Sequence, residues 1–277
     1  MLQTVRDTRL WVEDSGGDGE VVCFSHGLLW SADMYRPQIE RLRRDHRCIA
    51  WDHRGQGRSD VPEGDEASIE DCTADAEALI DALDVGPVHF VGLSMGGFVG
   101  MRLAARRPDL VRSLVLLDTA ADAEPAANVP KYRRLNLVAR WMGVSSWLAE
   151  QVLPIMCGST FLTDPRREGE RRALARALRA NAPSVYKAVN GVIRRQDCLD
   201  AIGSIRCPTS VLWGTEDRAI ARERAEQLVA AIPDAVWVEL ADAGHTSTLE
   251  QPEAVTRALR EHLDRAGATG GRTGGAG

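Results

Sequence analysis

A serine enclosed by glycines is the residue of this chain whose surroundings most directly suggest chemistry. The segment 92–96, GLSMG, follows the apolar run 88–91 and precedes a helix-compatible stretch. This is the arrangement of a G-x-S-x-G nucleophile elbow. Because glycine tolerates the sharp turn and close backbone contacts of an elbow, the hydroxyl of Ser94 would project from the end of a strand. The pattern predicts that Ser94 is a catalytic nucleophile.

A serine nucleophile needs a general base, and histidine has an ordinary pKa that suits this role near neutral pH. Of the six histidines, His245 follows the last predicted strand and precedes the last helix, so it would lie at the same sheet edge as Ser94. The positions of His89 in a strand, His262 on an apolar helix face and His46 in a charged run favour structural roles. We therefore predict that His245 is the base.

A carboxylate must orient the imidazole and stabilise its protonated form. Asp217 comes directly after the predicted strand 211–213, whereas Asp118 ends the strand before it, and Glu216 is a neighbour that could substitute. Acids occur at either strand end in this kind of triad. We predict Asp217 as the acid and keep Asp118 as the alternative.

The tetrahedral intermediate of acyl transfer needs backbone N–H donors for its oxyanion. The elbow supplies the N–H of Met95, the residue after the nucleophile. The second donor is predicted to be Leu28, because it leaves an early strand in the segment 25–29, SHGLL, whose glycine permits close backbone approach. His26 would then support this loop.

Short apolar runs alternate with helical patterns along most of the chain, and this alternation predicts a mainly parallel α/β sheet. The runs are expected to be strands buried on both faces. They cover residues 21–24, 48–51, 88–91, 114–117, 211–213 and 236–240. The stretch 4–13 alternates like exposed strands and is expected to form an antiparallel hairpin at the sheet edge.

A long segment without strand signal separates the runs at 114–117 and 211–213. We predict an inserted helical lid at 121–200, a core formed by 1–120 and 201–265, and a flexible tail at 266–277. Pocket-lining residues are predicted among the large apolar side chains of the lid and the early loop, although lid packing explains each of them as well. These candidates are Trp30, Trp141, Met142, Trp147 and Phe161.

Five arginines of the insertion could bind a substrate carboxylate, although exposed helix faces explain them equally well. They are Arg133, Arg134, Arg140, Arg194 and Arg195.

The amino-acid composition limits which kinds of ligand and which cellular location are expected for this protein. The formal charge is −6, from 34 basic and 40 acidic residues without a long basic patch, which disfavours nucleic acid as a partner. The six cysteines lack C-x-x-C spacing, so neither a zinc site nor a disulfide framework is expected. No leader or membrane-spanning stretch is visible. We expect a cytoplasmic protein that binds a small molecule, and its oligomeric state cannot be read from the sequence.

These motifs together resemble the α/β-hydrolase superfamily over nearly the whole chain. They are the segments 24–27 (FSHG), 51–60 (WDHRGQGRSD), 92–97 (GLSMGG), 214–217 (GTED) and 243–245 (AGH). The segments 92–97 and 249–253 are most similar to bacterial 3-oxoadipate enol-lactonases and carboxylesterases. The resemblance implies an eight-stranded sheet with a helical lid, a triad of Ser94, Asp217 and His245 in that chain order, and no metal or organic cofactor.

In this family the segment 51–60 is a structural turn, so His53 is not expected to take part in catalysis. The implied activity is hydrolysis of carboxylic esters or lactones through an acyl-serine intermediate, with enol-lactones and acyl-homoserine lactones as candidate lactones. Cofactor-free haloperoxidases that act as perhydrolases share the elbow but commonly carry a proline shortly after the His-Gly pair, where this chain has Leu28, Leu29 and Trp30. Perhydrolysis, carbon–carbon bond hydrolysis and a non-catalytic small-ligand receptor remain the alternatives.

Overall fold

The computed structural model describes residues 1–270, which contain one eight-stranded sheet in the order β1-β2-β4-β3-β5-β6-β7-β8. The strands are β1 (Leu2–Val5), β2 (Thr8–Asp14), β3 (Val21–Ser25), β4 (Arg47–Trp51), β5 (Val88–Leu93), β6 (Val111–Leu117), β7 (Thr209–Gly214) and β8 (Val236–Leu240). β2 is antiparallel to both of its neighbours, and the other neighbouring pairs are parallel. The predicted mainly parallel sheet and its N-terminal hairpin are confirmed.

Burial follows the position of each strand in the sheet. All six residues of β5 are buried and β6 is nearly as enclosed, because helices cover both faces of the central strands. β8 differs from the prediction of burial on both faces: only Leu240 of this strand is buried, and Val236 is 38% exposed. As an edge strand, β8 has neighbouring backbone on one side only, so its apolar run did not indicate full burial.

Helices connect the strands and cover the sheet. Within the described residues they are α1 (Arg36–Leu42), α2 (Ile69–Leu83), α3 (Met95–Arg106), α4 (Val129–Met142), α5 (Ser146–Met156), α6 (Ser159–Thr163), α7 (Glu168–Arg179), α8 (Tyr186–Ile193), α9 (Leu199–Ile202), α10 (Arg222–Ala231), α11 (Ser247–Glu250) and α12 (Pro252–Gly270). α2 begins where the Ser68 hydroxyl accepts the Asp71 N–H at 3.0 Å, a standard N-cap. Its buried face includes the apolar residues Cys72, Ala76 and Leu79.

Six helices, α4 to α9, lie between β6 and β7. Side-chain and backbone groups of this insertion contact segments at the carboxyl edge of the sheet: Asn181 Nδ2 donates to the Leu29 carbonyl at 2.9 Å, and the Gly158 N–H donates to the Glu250 carboxylate at 2.8 Å. The insertion therefore covers the edge at which Ser94 lies. That the insertion acts as a lid stays a prediction.

The C-terminal helix extends further than the sequence suggested. α12 reaches Gly270, so residues 266–270 are helical where a flexible tail was expected. The reason is that Ala266 continues the buried stripe of Val255, Leu259 and Leu263. The remainder of the predicted tail, 271–277, lies outside the described residues. No helix in the described part of the chain is both long and apolar enough to cross a membrane.

Candidate active site

Ser94 lies in a strained turn between β5 and α3. Its φ of 51° and ψ of −110° place a non-glycine residue in a rarely occupied region of backbone conformation. The turn requires the glycines on either side: a Cβ at Gly92 would collide with the Gly96 carbonyl, and a Cβ at Gly96 would collide with the Ser25 carbonyl. The sequence therefore folds locally into the predicted elbow.

Ser94, His245 and Asp217 form a hydrogen-bonded chain. His245 Nε2 lies 2.9 Å from Ser94 Oγ, and His245 Nδ1 lies 2.9 Å from Asp217 Oδ2. Ser94 follows β5, Asp217 follows β7 and His245 follows β8, so three strand ends supply the three side chains. A carboxylate only accepts, so Nδ1 carries the proton and Nε2 is left to accept the Ser94 hydroxyl.

The surroundings of the imidazole set its proton affinity. Burial alone lowers the pKa of His245, but the charge of Asp217 and its hydrogen bond outweigh burial and raise the pKa above its ordinary value. Asp217 is itself held in place, since its Oδ1 accepts the N–H groups of Ala219 at 2.7 Å and Ile220 at 3.0 Å. The carboxylate is thus fixed towards the ring.

Asp118, the alternative acid, lies in the same region but has other partners. Its carboxylate accepts the N–H of Gly214 at 2.8 Å and the hydroxyl of Ser247. Burial raises the pKa of Asp118, and the nearby charge of Asp217 raises it further. Asp118 therefore ties the end of β7 to the segment after His245, and Asp217 is the carboxylate that bonds the imidazole.

The two predicted oxyanion donors come from the start of α3 and from the loop after β3. Met95 is the first residue of α3, and Leu28 lines the same cleft as Ser94. Gln56 links these two segments: its Oε1 accepts the Leu29 N–H at 2.8 Å, and its Nε2 lies 3.5 Å from Met95 Sδ. The role of the Leu28 and Met95 N–H groups stays a prediction, and Gln56 explains why the segment 51–60 lies beside them.

The two histidines near the elbow are structural. His26 Nδ1 donates to the Gly27 carbonyl at 2.7 Å, and its Nε2 accepts the backbone N–H of His53 at 2.9 Å. The His53 ring contacts Ser25 Oγ at 2.9 Å, and burial holds its pKa well below the ordinary value. Both rings support the loop that carries Leu28, as the sequence analysis expected for His26.

A second histidine cluster lies under the central strands, away from Ser94. Ser113 Oγ contacts His89 Nδ1 at 2.7 Å and His262 Nε2 at 2.8 Å. His262 Nδ1 contacts Ser210 Oγ at 2.7 Å. These polar contacts account for two buried imidazoles without a catalytic role.

Glu250 is a positioning residue that the sequence analysis did not single out. Its carboxylate is buried and accepts three backbone N–H groups, from Gly158 at 2.8 Å, Gly244 at 3.0 Å and Thr246 at 3.1 Å. It thereby joins the insertion to both residues that flank His245. The sequence feature that could have indicated Glu250 is its position, five residues after His245 and two before Pro252.

A cleft of about 930 Å³, including its part open to solvent, adjoins Ser94 and His245. Its walls are largely apolar. On α4 the lining positions recur at helical spacing, and α5 contributes a second such set. They are Tyr132, Leu135, Asn136 and Ala139 on α4, and Leu148, Val152, Ile155 and Met156 on α5.

The five predicted pocket residues lie elsewhere, and this corrects the expectation that some of them line the pocket. Trp141, Met142 and Trp147 are 76%, 71% and 54% exposed, and Trp30 is buried in the core. The prediction selected large side chains, whereas the helical period decides which side chains face the cleft. Phe161 is also buried in the core.

The five arginines considered for carboxylate binding differ in their exposure to solvent. Arg133, Arg134, Arg140 and Arg194 are exposed, and Arg194 pairs with Glu66 at 2.7 Å. Arg195 is buried and lines the cleft. Both residues follow the end of α8 at Ile193, and the course of the chain there decides which side chain is buried, so Arg194 and Arg195 could not be distinguished without the fold.

No cluster of His, Cys, Asp or Glu in residues 1–270 is arranged to hold a metal ion. The six cysteines are unpaired, five of them buried.

Solved structures share the fold along nearly the whole chain. A thermophilic esterase from Thermogutta terrifontis superposes with a TM-score of 0.87 at 31% identity, covering 96% of this chain and 98% of that one. The enol-lactonase from Burkholderia xenovorans LB400 superposes with a TM-score of 0.87 at 28% identity, covering 95% of this chain and 100% of that one.

Curated relatives show the same extent of similarity. RutD of Pseudomonas syringae pv. syringae, named provisionally as a carbamate hydrolase, is 27% identical over 250 residues, 89% of this chain and 94% of its own. BpoC of Mycobacterium tuberculosis, named provisionally as a non-heme bromoperoxidase, is 28% identical over 255 residues, 89% of this chain and 94% of its own. A family model for the alpha/beta hydrolase fold matches residues 20–252. The chain therefore belongs to the α/β-hydrolase family.

Proposed function

We propose that the protein is a serine hydrolase that cleaves carboxylic esters or lactones through an acyl-Ser94 intermediate. The observation that carries the proposal is the chain of two 2.9 Å hydrogen bonds from Ser94 through His245 to Asp217. The base is within proton-transfer distance of the hydroxyl, and the carboxylate holds the imidazole in the tautomer that accepts that proton.

In the acylation step, Ser94 Oγ attacks the carbonyl carbon while its proton passes to His245 Nε2. The carbonyl oxygen becomes an oxyanion, which the N–H groups of Leu28 and Met95 would stabilise. The tetrahedral intermediate then expels the alkoxide, and His245 donates its proton to that oxygen. With a lactone the released hydroxyl stays attached to the acyl group.

In the deacylation step, a water molecule takes the place of the alcohol. His245 removes a proton from the water as it attacks the acyl carbon, and then returns the proton to Ser94 Oγ as the ester bond breaks. The products are a carboxylic acid and the free enzyme. The charge of Asp217 stabilises the imidazolium that forms in both steps.

Ester and lactone substrates are favoured by the apolar walls of the cleft and by the esterase and enol-lactonase among the similar structures. Sequence similarity to RutD and BpoC makes carbamates and peroxide-dependent halide oxidation the second set to test. A panel of short esters, enol-lactones, acyl-homoserine lactones and an aryl carbamate, followed by acid release, separates the hydrolytic classes. Hydrolysis of linear esters with every lactone untouched would eliminate the lactonase assignment.

Replacing Ser94 tests the mechanism directly. Ser94→Ala is expected to reduce turnover of a p-nitrophenyl ester by about 10³-fold or more, because the nucleophile acts as a unit with its base. Circular dichroism of wild type and variant checks that both are folded. Retention of ester turnover by a folded Ser94→Ala protein would reject the acyl-serine route.

A further inference from the structure

The cleft beside Ser94 has a polar end that the proposed chemistry does not use. Among its lining residues, Glu124, Asn136 and Arg195 bring charged or amide groups into walls that are otherwise mostly aliphatic. The Arg195 side chain is 1% exposed and that of Glu124 is 7% exposed. Burial of such polar groups is costly unless they form hydrogen bonds. Each donor and acceptor is therefore expected to have a partner, and one that has none indicates a place for a ligand group.

Arg195 leaves one of its three donor nitrogens without a partner in the described part of the chain. Nη1 donates to Glu124 Oε2 at 2.8 Å and to the Val192 carbonyl at 2.9 Å, and Nε donates to the Asp122 carbonyl at 3.2 Å. Nη2 is buried and has no hydrogen-bond partner within residues 1–270. The guanidinium carbon lies 4.3 Å from the ring centroid of Phe98, which fixes the plane of the group in the cleft wall.

Asn136 leaves an acceptor free in the same cleft. Its Nδ2 donates to the Tyr186 carbonyl at 3.1 Å and to Asn190 Oδ1 at 2.9 Å, and these two acceptors define which end of the amide is nitrogen. The other end, Oδ1, is buried without a partner in the described part of the chain. The polar end thus contains one unused donor nitrogen, Arg195 Nη2, and one unused acceptor oxygen, Asn136 Oδ1.

The net charge at the polar end decides whether a charged or a neutral ligand group can bind there. Glu124 already neutralises Arg195 at 2.8 Å, so a substrate carboxylate would lie beside a second carboxylate in a poorly solvated place. A neutral group that both accepts and donates meets no such repulsion. A hydroxyl is such a group, because it can accept from a donor such as Arg195 Nη2 or donate to an acceptor such as Asn136 Oδ1.

We propose that Arg195 and Asn136 are specificity residues that bond neutral hydroxyl groups of the substrate. The natural ester or lactone would then be a hydroxylated compound, with an apolar chain along the aliphatic walls. This inference rests on the proposed function. A site built to bond a hydroxyl discriminates strongly against the analogue that lacks it, because the buried donor and acceptor stay unpaired.

Two matched substrate series test the preference: methyl ω-hydroxyalkanoates against methyl alkanoates of equal length, and ω-hydroxyalkyl acetates against alkyl acetates. The wild type is expected to favour the hydroxylated member of at least one series by about tenfold or more in kcat/KM. Ester hydrolysis with equal rates in every pair would overturn this inference and leave the proposed function intact. Absence of hydrolysis of every ester would count against the proposed function.

Binding provides a readout that does not depend on turnover. Calorimetry with the Ser94→Ala protein is expected to show tighter binding of the hydroxylated ester that the wild type prefers than of its methyl-terminated analogue. If no ester is hydrolysed, both matched pairs are titrated in the same way. Equal binding within every pair would overturn the inference whatever the catalytic result.

Variants at the polar end locate the effect. Arg195→Lys keeps the charge beside Glu124 but removes Nη2, and is expected to reduce the hydroxyl preference about tenfold. Arg194→Lys is the matched control, because Arg194 is exposed and pairs with Glu66. An equal effect of the two substitutions, or none from Arg195→Lys, would contradict the assignment.

Glu124→Gln supplies a second test should Arg195→Lys fold poorly. It retains the shape of the side chain and removes the charge that neutralises Arg195. The variant is expected to gain activity towards substrates ending in a carboxylate by about tenfold, because the end of the cleft becomes cationic. An unchanged ratio of carboxylate to hydroxyl substrates would overturn the proposal.

Discussion

The imidazole of His245 is the residue on which the proposed chemistry depends. Its two nitrogens have different partners, Asp217 on Nδ1 and Ser94 on Nε2. It must be neutral to accept the Ser94 proton, and the raised pKa of His245 makes the protonated, inactive form persist to higher pH than for a free histidine. Activity is therefore expected to fall as the pH decreases through that raised pKa.

Asp217→Asn is expected to change both the size and the pH dependence of kcat/KM. The loss at neutral pH should be on the order of 10⁴, because an amide favours the wrong tautomer of His245. The residual acidic limb should move to lower pH, since the carboxylate that raises the pKa is gone. Rate profiles from pH 5 to pH 9 check this. A larger loss in Asp118→Asn than in Asp217→Asn would contradict the assignment of the acid.

Site residues that belong to local sequence motifs could be predicted. Residues that line the cleft only because of the direction of their side chains could not. The proximity of Ser94 and His245 could be predicted because an elbow and a strand-end loop are local patterns at one sheet edge, and the two side chains lie 2.9 Å apart. Arg195 differs from Arg194 only in the way its side chain points, and Trp141 is the larger residue although Ala139 occupies the cleft-facing position. These differences depend on how α4 and the segment after α8 pack, which single-residue properties do not encode.

At the scale of elements, the loop that carries His245 is attached to the insertion through Glu250. One buried carboxylate accepts N–H groups from both sides of that junction. Because α5 and α6 meet at Gly158, the position of these helices is linked to the position of the base. The Leu29 carbonyl, which accepts from Asn181, makes a similar connection on the side of Leu28.

Glu250→Gln is expected to weaken this attachment. The amide places an NH₂ group against backbone donors, so the free energy of unfolding should fall by about 1–3 kcal/mol, and kcat should fall with it. Urea unfolding and steady-state kinetics measure the two effects. Glu253→Gln is the matched control, because Glu253 is exposed and pairs with Arg41 at 2.9 Å. Equal effects of the two substitutions would contradict a special role of Glu250.

Strands and helices could be predicted from the sequence where an apolar segment is also buried in the fold. The apolar runs at β3 to β7 gave the parallel sheet, since strands buried on both faces have few polar positions. β8 had the same composition but lies at an edge, and the position of a strand within a sheet is a property of the whole topology. α12 extends past the predicted boundary because its buried stripe includes Ala266, a side chain too small to signal a packed face.

At the scale of the molecule, buried neutral histidines make stability depend on pH. Burial lowers the pKa of His26, His53 and His89, and that of His262 to about 3. At pH values between these lowered pKa values and the ordinary histidine pKa, the histidines of the unfolded chain are protonated while the buried ones of the folded chain are not. Stability therefore increases with pH in this window and decreases on acidification below about 6.5.

His262→Gln is expected to reduce this dependence. Each such histidine contributes a slope of about 1.4 kcal/mol per pH unit to the free energy of unfolding, so the variant should lose about that much slope between pH 6 and pH 4. Urea unfolding at several pH values measures the slope for variant and wild type. The same slope in both proteins would show that His262 is not buried in its neutral form.

Covalent labelling of Ser94 tests the central claim most directly. The protein is treated with a fluorophosphonate, and the modified residue is identified by peptide mass spectrometry, with Ser94→Ala as the control. The account predicts one phosphonyl group on Ser94, loss of ester hydrolysis in proportion to labelling, and no adduct in Ser94→Ala. An unlabelled Ser94 in folded wild-type protein, or equal labelling of Ser94→Ala at another residue, would contradict it.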